Sequence, residues 1–339
     1  DLERQRAEIN SMQYGTIVHY ILERFFGEYT KKEYLSLEED KFQKIVCAYL
    51  AEYAVKYFGE EQLESNSFTY RLKTILDNVM YLMKHIMEEL SQSEFFVADC
   101  ELKIGEDIPS YTIVLPDGHK IAVCGSVDRV DIMQRADITY LRIIDYKTGK
   151  KQFKLSDILY GINLQMLLYL HSIEASGGDK YGEIVPAGIL YMPATVPYIS
   201  SDSLKSIDKL PDELNKELKM NGLLLKDTEI IHGMDKTDVA TYIPVKIKAG
   251  EPVSSTSLAT LAEFGKIFKK VDMLIAEMGK NIYNGNIEAK PLKGGHDSCE
   301  HCPYDSVCAY RQSNPITCFS VDNKTVIEEI TNEINGKEE

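Results

Sequence analysis

The chain has 339 residues, of which 44% are hydrophobic and 27% are charged, an ordinary balance for a globular protein with a large core. No stretch approaches the roughly 18 uncharged apolar residues of a membrane-spanning helix, and the charged N-terminus lacks the apolar core of a signal peptide. The formal net charge is −15. Proteins that hold DNA alone normally present a positive surface, so this charge argues against tight autonomous binding to nucleic acid.

The chain does not begin with methionine, and we expect it to be a piece of a longer protein. Another domain or subunit is then expected to supply most of the affinity for DNA. A local basic groove can still form from four lysines that follow one another closely in sequence: Lys147, Lys150, Lys151 and Lys154.

The chain has seven cysteines, an odd number. Cys47, Cys100 and Cys124 lie in apolar runs and are expected to be buried thiols. Nothing in the pattern predicts a secreted disulfide scaffold, so we expect a cytoplasmic protein.

The first part of the chain has helical periodicity. Apolar residues recur at helical spacing from residue 2 to residue 29, and two further helices are predicted near 36–58 and 67–91. The pattern then changes to period two, with a hairpin turn at 116–118. The predicted strands are 95–103, 111–115, 120–133 and 140–147.

Helices and strands alternate after residue 147, beginning with a predicted helix over 155–173 and a strand over 186–192. Residues 195–250 are expected to form an insertion or cap on the sheet, with a helix near 210–219 and a strand near 242–248. A long helix over 256–283 begins at Ser and Thr caps and ends at Asn284-Gly285. The last twenty residues are polar and expected to be frayed.

This order predicts a mixed α/β domain built around one central sheet. Within one integrated domain, residues 1–93 form an N-terminal helical part, and 94–194 form the core sheet and helix. Residues 195–250 are the insertion, and 251–339 hold the long helix, a cysteine-rich segment and the tail.

Two aspartates and a lysine are the candidate catalytic residues. Asp145 and Lys147 are two residues apart in a predicted strand and therefore face the same side. Asp128 lies in the preceding strand, and pairing of the two strands would let Asp128 and Asp145 converge on one cation. Carboxylates, water and a phosphate oxygen suit Mg²⁺ or Mn²⁺. Lys147 is placed to orient water or to stabilise a transition state. Alone, however, this pattern also fits a surface strand with ordinary charge alternation.

Further motifs favour the catalytic interpretation. Gly15 to His19 reads GxxxH in the first helix, and GSVDRVD surrounds Asp128. Gln165 and Tyr169 lie four residues apart and share one helix face. In the order GxxxH, GSVDRVD, IDYKTG and QxxxY, the chain resembles the RecB-type branch of the PD-(D/E)xK nuclease superfamily. The resemblance implies a restriction-endonuclease-like core, with a central mixed sheet flanked by helices.

The resemblance also implies roles for individual residues. His19, Asp128 and Asp145 would bind metal together with the backbone carbonyl of Tyr146. Lys147 would be the catalytic lysine, while Gln165 and Tyr169 would support the site or contact DNA. The superfamily pattern has proline before the first aspartate, where this chain has Val127, but the RecB-type branch varies there. Asp131 lies an odd number of residues after Asp128, so its side chain should face the other side of the sheet. We expect Asp131 and Arg129 to have structural roles.

The spacing Cys299-x2-Cys302-x5-Cys308 is typical of metal ligands. Three thiolates could hold zinc, with His296 or His301 as a fourth ligand, or could be three ligands of a [4Fe–4S] cluster.

With the nuclease motifs, the segment resembles the AddB (RexB) family of helicase–nuclease subunits, whose nuclease is closed by an iron–sulfur staple with one further cysteine before the first helix. No cysteine precedes Cys47 here, and Cys318 is a poor replacement, so we expect no intact cluster in this chain.

The resemblance implies a metal-dependent DNA exonuclease that processes double-strand breaks for recombinational repair and cuts the 5′-ended strand. It also implies an AddA-type helicase–nuclease partner, linear duplex ends as substrate and a single strand at the active site. A compact CRISPR-associated nuclease of the same branch is an alternative, which the long segment 195–250 disfavours. A catalytically silent DNA-binding scaffold and a structural zinc protein are alternatives from other classes.

Overall fold

The computed structural model describes residues 9–149, 151–197, 210–254, 256–300, 302–308, 310 and 315–338. Lys150 and the start of the first predicted helix, up to residue 8, lie outside the described residues, as does His301. No helix in the described part of the chain is long and apolar enough to cross a membrane.

From residue 9 onward, five helices precede the sheet: α1 Ser11–Glu28, α2 Lys31–Leu35, α3 Glu39–Phe58, α4 Glu60–Leu63 and α5 Asn66–Gln92. Helix α1 begins at Ser11, because Asn10 has extended backbone and forms a capping box with Gln13. One stripe of α1, which includes Ile17, Ile21 and Phe25, is completely buried. This helix therefore packs as the periodicity predicts.

The described residues form twelve strands: β1 Phe96–Ile104, β2 Tyr111–Val114, β3 Lys120–Val123, β4 Gly125–Arg135, β5 Ile138–Lys147, β6 Glu183–Pro193, β7 Asn221–Leu225, β8 Lys246–Lys248, β9 Glu251–Val253, β10 Leu258–Ala259, β11 Leu292–Gly294 and β12 Ile316–Cys318. Six of them make the central sheet, in the order β1-β4-β5-β6-β7-β10. In this sheet the β5–β6 and β7–β10 pairs are parallel, and the β1–β4, β4–β5 and β6–β7 pairs are antiparallel. The predicted mixed sheet is confirmed.

Two predicted elements are divided in the structure. The strand expected over 120–133 is interrupted at Cys124, so that β3 pairs with β2 in a separate hairpin and β4 enters the central sheet. Cys124 is exposed, and Cys47 and Cys100 are only half-buried, so the expectation of three buried thiols was wrong.

The helix expected over 155–173 is also divided. A 3₁₀ helix, Leu155–Tyr160, ends at Gly161, whose φ of 67° is left-handed, and α6 begins only at Gln165 and runs to Ser176. A short helix, α7 Gly178–Tyr181, then leads into β6.

The segment 195–250 does more than cap the sheet. It contains α8 Leu210–Leu218 and α9 Thr228–Met234, but its strand β7 pairs with β6 and extends the central sheet. Gly222 permits this pairing, because a Cβ there would lie 2.0 Å from the carbonyl oxygen of Ile189. The strand expected near 242–248 is reduced to β8.

The C-terminal part contains α10 Leu261–Tyr283, α11 Asp305–Cys308 and α12 Asn323–Glu338. The predicted start of this helix at residue 256 was wrong: Leu258–Ala259 is strand β10, and Thr260 caps α10 in a capping box with Glu263. The expectation of a frayed tail was wrong: α12 buries Val326, Ile330 and Ile334. These side chains recur every four residues and form one apolar stripe on an otherwise polar helix.

Candidate metal centre and active site

Asp128 and Asp145 lie opposite each other on β4 and β5. The register pairs Arg129 of β4 with Ile144 of β5. Because the strands are antiparallel, the next pair along them is Asp128 with Asp145. The backbone N–H of Tyr146 donates to Oδ2 of Asp128 at 2.9 Å, which fixes that carboxylate against β5. The pairing expected from the sequence is therefore present.

His19 reaches the same place from α1. Its Nε2 lies 3.7 Å from Oδ2 of Asp128. The ring packs edge-on against Tyr146, with centroids 5.7 Å apart and planes at 83°. The histidine of the GxxxH motif thus joins the two carboxylate strands.

Glu101 on β1 is a member of this group that the sequence did not single out. Its Oε1 lies 3.0 Å from Nδ1 of His19, and its Oε2 accepts a hydrogen bond of 2.8 Å from Ser126. The backbone of Glu101 has φ 50°, an uncommon conformation for a residue other than glycine and one that tends to occur at functional sites.

Ligand atoms of His19, Glu101 and Asp128 all lie within 4.8 Å of one another. Among the described residues, this is the only set of three or more His, Cys, Asp and Glu side chains that converges so closely. Because Glu101 engages Nδ1, the other ring nitrogen, Nε2, faces the aspartates. Metal-binding histidines typically have this arrangement, with a carboxylate on the second nitrogen.

The charges in this group influence one another. Burial raises the pKa of Asp128 to about 6, with a further contribution from Asp145, while His19 opposes the shift. Burial lowers the pKa of His19, but Glu101 and Asp128 outweigh it and raise that pKa above its usual value. The hydrogen bond from His19 lowers the pKa of Glu101. A bound cation would relieve this crowding of negative charge.

Asp145 and Lys147 project together at the end of β5, as predicted. Nζ of Lys147 lies 2.5 Å from Oδ2 of Asp145. The same Oδ2 is buried and accepts no hydrogen bond of normal geometry from the described residues. An acceptor held in this way, beside a histidine and a second aspartate, fits a divalent cation.

Gln165 and Tyr169 share one face of α6, as their spacing predicts. Nε2 of Gln165 donates to the Tyr169 hydroxyl at 3.3 Å. That hydroxyl packs against Gly125 at the start of β4, where a Cβ would lie only 2.1 Å away. Gly125 belongs to the GSVDRVD motif, and its missing side chain leaves room for Tyr169.

The opposite face of β4 and β5 carries a buried ion network. Both carboxylate oxygens of Asp131 accept hydrogen bonds from Arg129 at 2.7 Å, and Glu89 of α5 bridges Arg129 and Arg142. All four side chains are completely buried. Although burial opposes it, the two arginines hold the pKa of Asp131 below its usual value. This placement fits the structural role predicted for Asp131 and Arg129.

The three cysteines of the metal-ligand spacing are not gathered in the structure. Cys299 and Cys302 are half-buried and Cys308 is exposed. Among the residues that the structure describes, their sulfur atoms form no set of three converging ligand atoms. The arrangement therefore does not fit a zinc ion or an iron–sulfur cluster as it stands. Cys318 is buried in β12, apart from these three in sequence.

Comparison with known proteins agrees with this geometry. A family model described as the PD-(D/E)XK nuclease superfamily matches residues 1–309. The chain is 31% identical over 348 residues to an ATP-dependent helicase/deoxyribonuclease subunit of Alkaliphilus oremlandii, an alignment that covers 98% of this chain and 30% of that protein. It is 33% identical over 321 residues to the protein of the same name from Acetivibrio thermocellus, covering 91% of this chain and 28% of the relative.

A third relative of the same name, from Thermoanaerobacter sp. (strain X514), is 37% identical over 246 residues, covering 71% of this chain and 21% of the relative. The chain thus spans less than a third of the length of these relatives.

Proposed function

Since the chain belongs to the PD-(D/E)XK nuclease superfamily, we propose that it is a metal-dependent deoxyribonuclease domain of a helicase–nuclease. The observation that carries this proposal is that His19 lies 3.7 Å from Asp128, on a strand whose register sets Asp128 opposite Asp145, and that Asp145 pairs with Lys147. A histidine from the middle of α1 and two carboxylates from paired strands suit Mg²⁺ or Mn²⁺, and the lysine supplies a cation where a phosphate would lie.

The metal ligands and the lysine have separate roles in the proposed reaction. His19, Asp128 and Asp145 would hold the ion, together with the Tyr146 carbonyl. When bound, the ion would lower the pKa of a water molecule and offset the charge of the phosphate. Lys147, which pairs with Asp145, would be released once the ion binds that carboxylate and could then orient the water or stabilise the charge on the phosphate oxygens.

Other residues keep these groups in place. Glu101 orients the imidazole of His19 through Nδ1. Gln165 and Tyr169 support the site from α6, next to the first residue of β4.

The partner and substrate follow from the relatives' shared name, which refers to an ATP-dependent helicase and a deoxyribonuclease. We propose that this chain likewise acts on DNA within such an assembly, with an AddA-type helicase–nuclease as its partner, at broken duplex ends. The net charge of −15 supports a division of labour in which other parts of the assembly supply most of the affinity for DNA. Cleavage of the 5′-ended strand is part of the same proposal.

An iron–sulfur role for Cys299, Cys302 and Cys308 stays a prediction from the family resemblance. Their spacing favours it, but ligation would have to bring the three thiolates together and to recruit a fourth ligand. No step of the proposed reaction depends on this cluster.

The proposal is tested by degradation of linear DNA in Mg²⁺, compared among the wild type, Asp145→Ala and Lys147→Ala, in the full-length protein. Low salt is appropriate, because phosphate contacts are strongest there. Asp137→Ala is a matched control, since this carboxylate lies at the other end of β5, in the turn after β4.

We expect both active-site variants to lose at least about a hundredfold in rate, while Asp137→Ala retains the wild-type rate. Equal rates in all four proteins would contradict the assignment. DNA binding without any metal-dependent cleavage would favour the alternative of a catalytically silent scaffold.

A further inference from the structure

An open cavity of about 770 Å³ lies beside the metal centre and extends well beyond it. At one end it is lined by His19, Glu101 and Lys147, the groups that the proposed reaction uses. At the other end it is lined by three tyrosines: Tyr20, Tyr53 and Tyr57. The reaction described above gives this aromatic end no role.

The three tyrosine rings form a contiguous cluster between α1 and α3, with one edge-to-face contact and one tilted contact. The rings of Tyr20 and Tyr53 lie 5.2 Å apart at 61°, and those of Tyr53 and Tyr57 lie 4.4 Å apart at 35°. Tyr53 is only 5% exposed, whereas Tyr57 is 54% exposed. The inner ring therefore supports an outer ring that remains open to solvent, an arrangement that offers a flat aromatic surface to a planar ligand.

Charged side chains line both parts of the cavity. Glu23 lines the cavity, and Tyr20 lies against Glu52, which together with burial raises the pKa of this tyrosine. Glu23 would repel a phosphate group at the aromatic end, whereas Glu52 is paired with Arg24 at 3.4 Å. A neutral base is the part of a nucleotide that fits here. Lys103 also lines the cavity, and Nζ of exposed Lys56 lies over the Tyr57 ring, 5.0 Å from its centroid, so this flexible side chain must move aside for a base to stack there. Lys103 pairs with Glu106 at 3.1 Å, so of the two lysines it is Lys56 that can reach a flanking phosphate.

The two ends belong to the same short stretch of chain. His19 and Tyr20 are consecutive residues of α1. His19 faces the proposed metal ion, and Tyr20 belongs to the tyrosine cluster. A phosphate held at His19 therefore has its neighbouring nucleotide next to the tyrosines. A base inside a duplex is already paired and stacked on its neighbours, so it cannot use such a surface unless it is released from the duplex.

We propose that Tyr57, supported by Tyr53 and Tyr20, is a stacking site for an unpaired base close to the scissile phosphate. This inference rests on the proposed nuclease function and deepens it. The site would accept single-stranded DNA without sequence preference, because every base presents an aromatic face.

The test uses the full-length protein and a 5′-fluorescein-labelled oligothymidylate of about twenty nucleotides. Cleavage is measured for wild type, Tyr57→Ala and Tyr57→Phe, with activity that persists in Asp145→Ala subtracted. Tyr70→Ala is the matched control, because Tyr70 is 72% exposed on α5 and does not line the cavity. A second series of oligonucleotides carries one abasic residue at successive positions.

We expect Tyr57→Ala to raise KM at least about fivefold, with a smaller change in kcat, whereas Tyr57→Phe and Tyr70→Ala stay near wild type. In the wild type, one abasic position should raise KM by a similar factor. That penalty should disappear in Tyr57→Ala, because the ring and the base would be parts of one contact.

An unchanged KM in Tyr57→Ala, or an abasic penalty that persists in that variant, would overturn the stacking site while leaving the nuclease function intact. If no cleavage depends on Asp145, the proposed function fails instead. Anisotropy of the same labelled oligonucleotide then still reports stacking, since its Kd should be weaker for Tyr57→Ala than for Tyr57→Phe, and equal values would refute it.

Discussion

The hydroxyl group of Tyr169 on α6 fills the space that a side chain at Gly125 on β4 would need. An ideal Cβ on Gly125 would lie 2.1 Å from the hydroxyl oxygen and 2.5 Å from the ring carbon that carries it. This contact links the helix that follows the Asp-x-Lys strand to the beginning of the strand that carries Asp128. Glycine is required at position 125 because Tyr169 lies too close for any side chain, and not because of the backbone angles of Gly125.

We therefore expect Gly125→Ala to displace Tyr169 and to lower kcat for DNA cleavage by roughly ten- to a hundredfold, as small misplacements in active sites do. Gly265→Ala is the control, because Gly265 lies on α10 and a Cβ added there would meet no atom within 4 Å. Wild-type kcat in the Gly125 variant would show that the position of Tyr169 does not matter for the reaction.

Glu101 is expected to act on metal binding through His19. Removal of its carboxylate in Glu101→Ala frees the imidazole, and we expect Mn²⁺ affinity, measured by calorimetry, to fall by about ten- to a hundredfold. Glu101→Gln should recover part of the loss, because the amide oxygen can accept the same hydrogen bond from Nδ1. Glu106→Ala, in the exposed turn after β1, should bind normally.

If Glu101→Gln binds Mn²⁺ as weakly as Glu101→Ala, the carboxylate contacts the ion itself. If neither variant changes the affinity, Glu101 has no part in the metal centre.

The buried network behind the active strands should be important for stability. Glu89→Gln leaves Arg129 and Arg142 with Asp131 as their one charged partner within the network, and the loss of a buried ionic partner costs about 3–5 kcal/mol. Urea unfolding should show this decrease, whereas Glu88→Gln, on the exposed side of α5, should change the unfolding free energy by less than about 0.5 kcal/mol. Similar values for both variants would show that the network contributes little to stability.

The sequence predicted the elements whose signals are local and strong. The opposed strands of Asp128 and Asp145 follow from alternation and a short connection, and the structure pairs them. Glu101 was missed because its partner His19 is 82 residues away, so no spacing could connect them. Its strand could be predicted, but the left-handed backbone that accompanies this contact is a tertiary effect.

Two other errors have different causes. The polar composition of the last twenty residues hid the four-residue repeat of Val326, Ile330 and Ile334, which is a signal for an amphipathic helix. Strand β7 was assigned to a cap because its partner β6 comes about thirty residues earlier, across a poorly patterned segment. The periodicity of a single sequence can predict a strand, but it does not show which distant strand will pair with it.

A pH dependence of stability is expected from His171, which lies on α6 and joins it to α10 and β2. Its Nε2 lies 3.2 Å from both Asp272 and the Tyr111 hydroxyl, Glu174 lies near Nδ1, and the ring stacks on Phe268. Although burial lowers it, the hydrogen bonds and charges of Asp272 and Glu174 raise the pKa of His171 to about 9.

Because this pKa is raised above its unfolded value, the charged histidine stabilises the fold fully below about pH 6.5, and the contribution is lost as the pH rises through about 9. The wild type should therefore be more stable than His171→Gln, by at most about 3 kcal/mol, at pH 6, and this difference should shrink by pH 10. Urea unfolding at the two pH values measures it. A difference that is equal at both values would show that the stabilisation does not depend on the charge.

The central claim is that His19, Asp128 and Asp145 bind one divalent cation beside Lys147. A crystal structure of the protein with Mn²⁺, solved with anomalous scattering at the manganese edge, tests this most directly. We predict a manganese peak within about 2.0–2.4 Å of Nε2 of His19 and of one oxygen of each aspartate. A peak held by other residues, or no peak at these three under conditions in which the crystallised protein cleaves DNA with Mn²⁺, would contradict the claim.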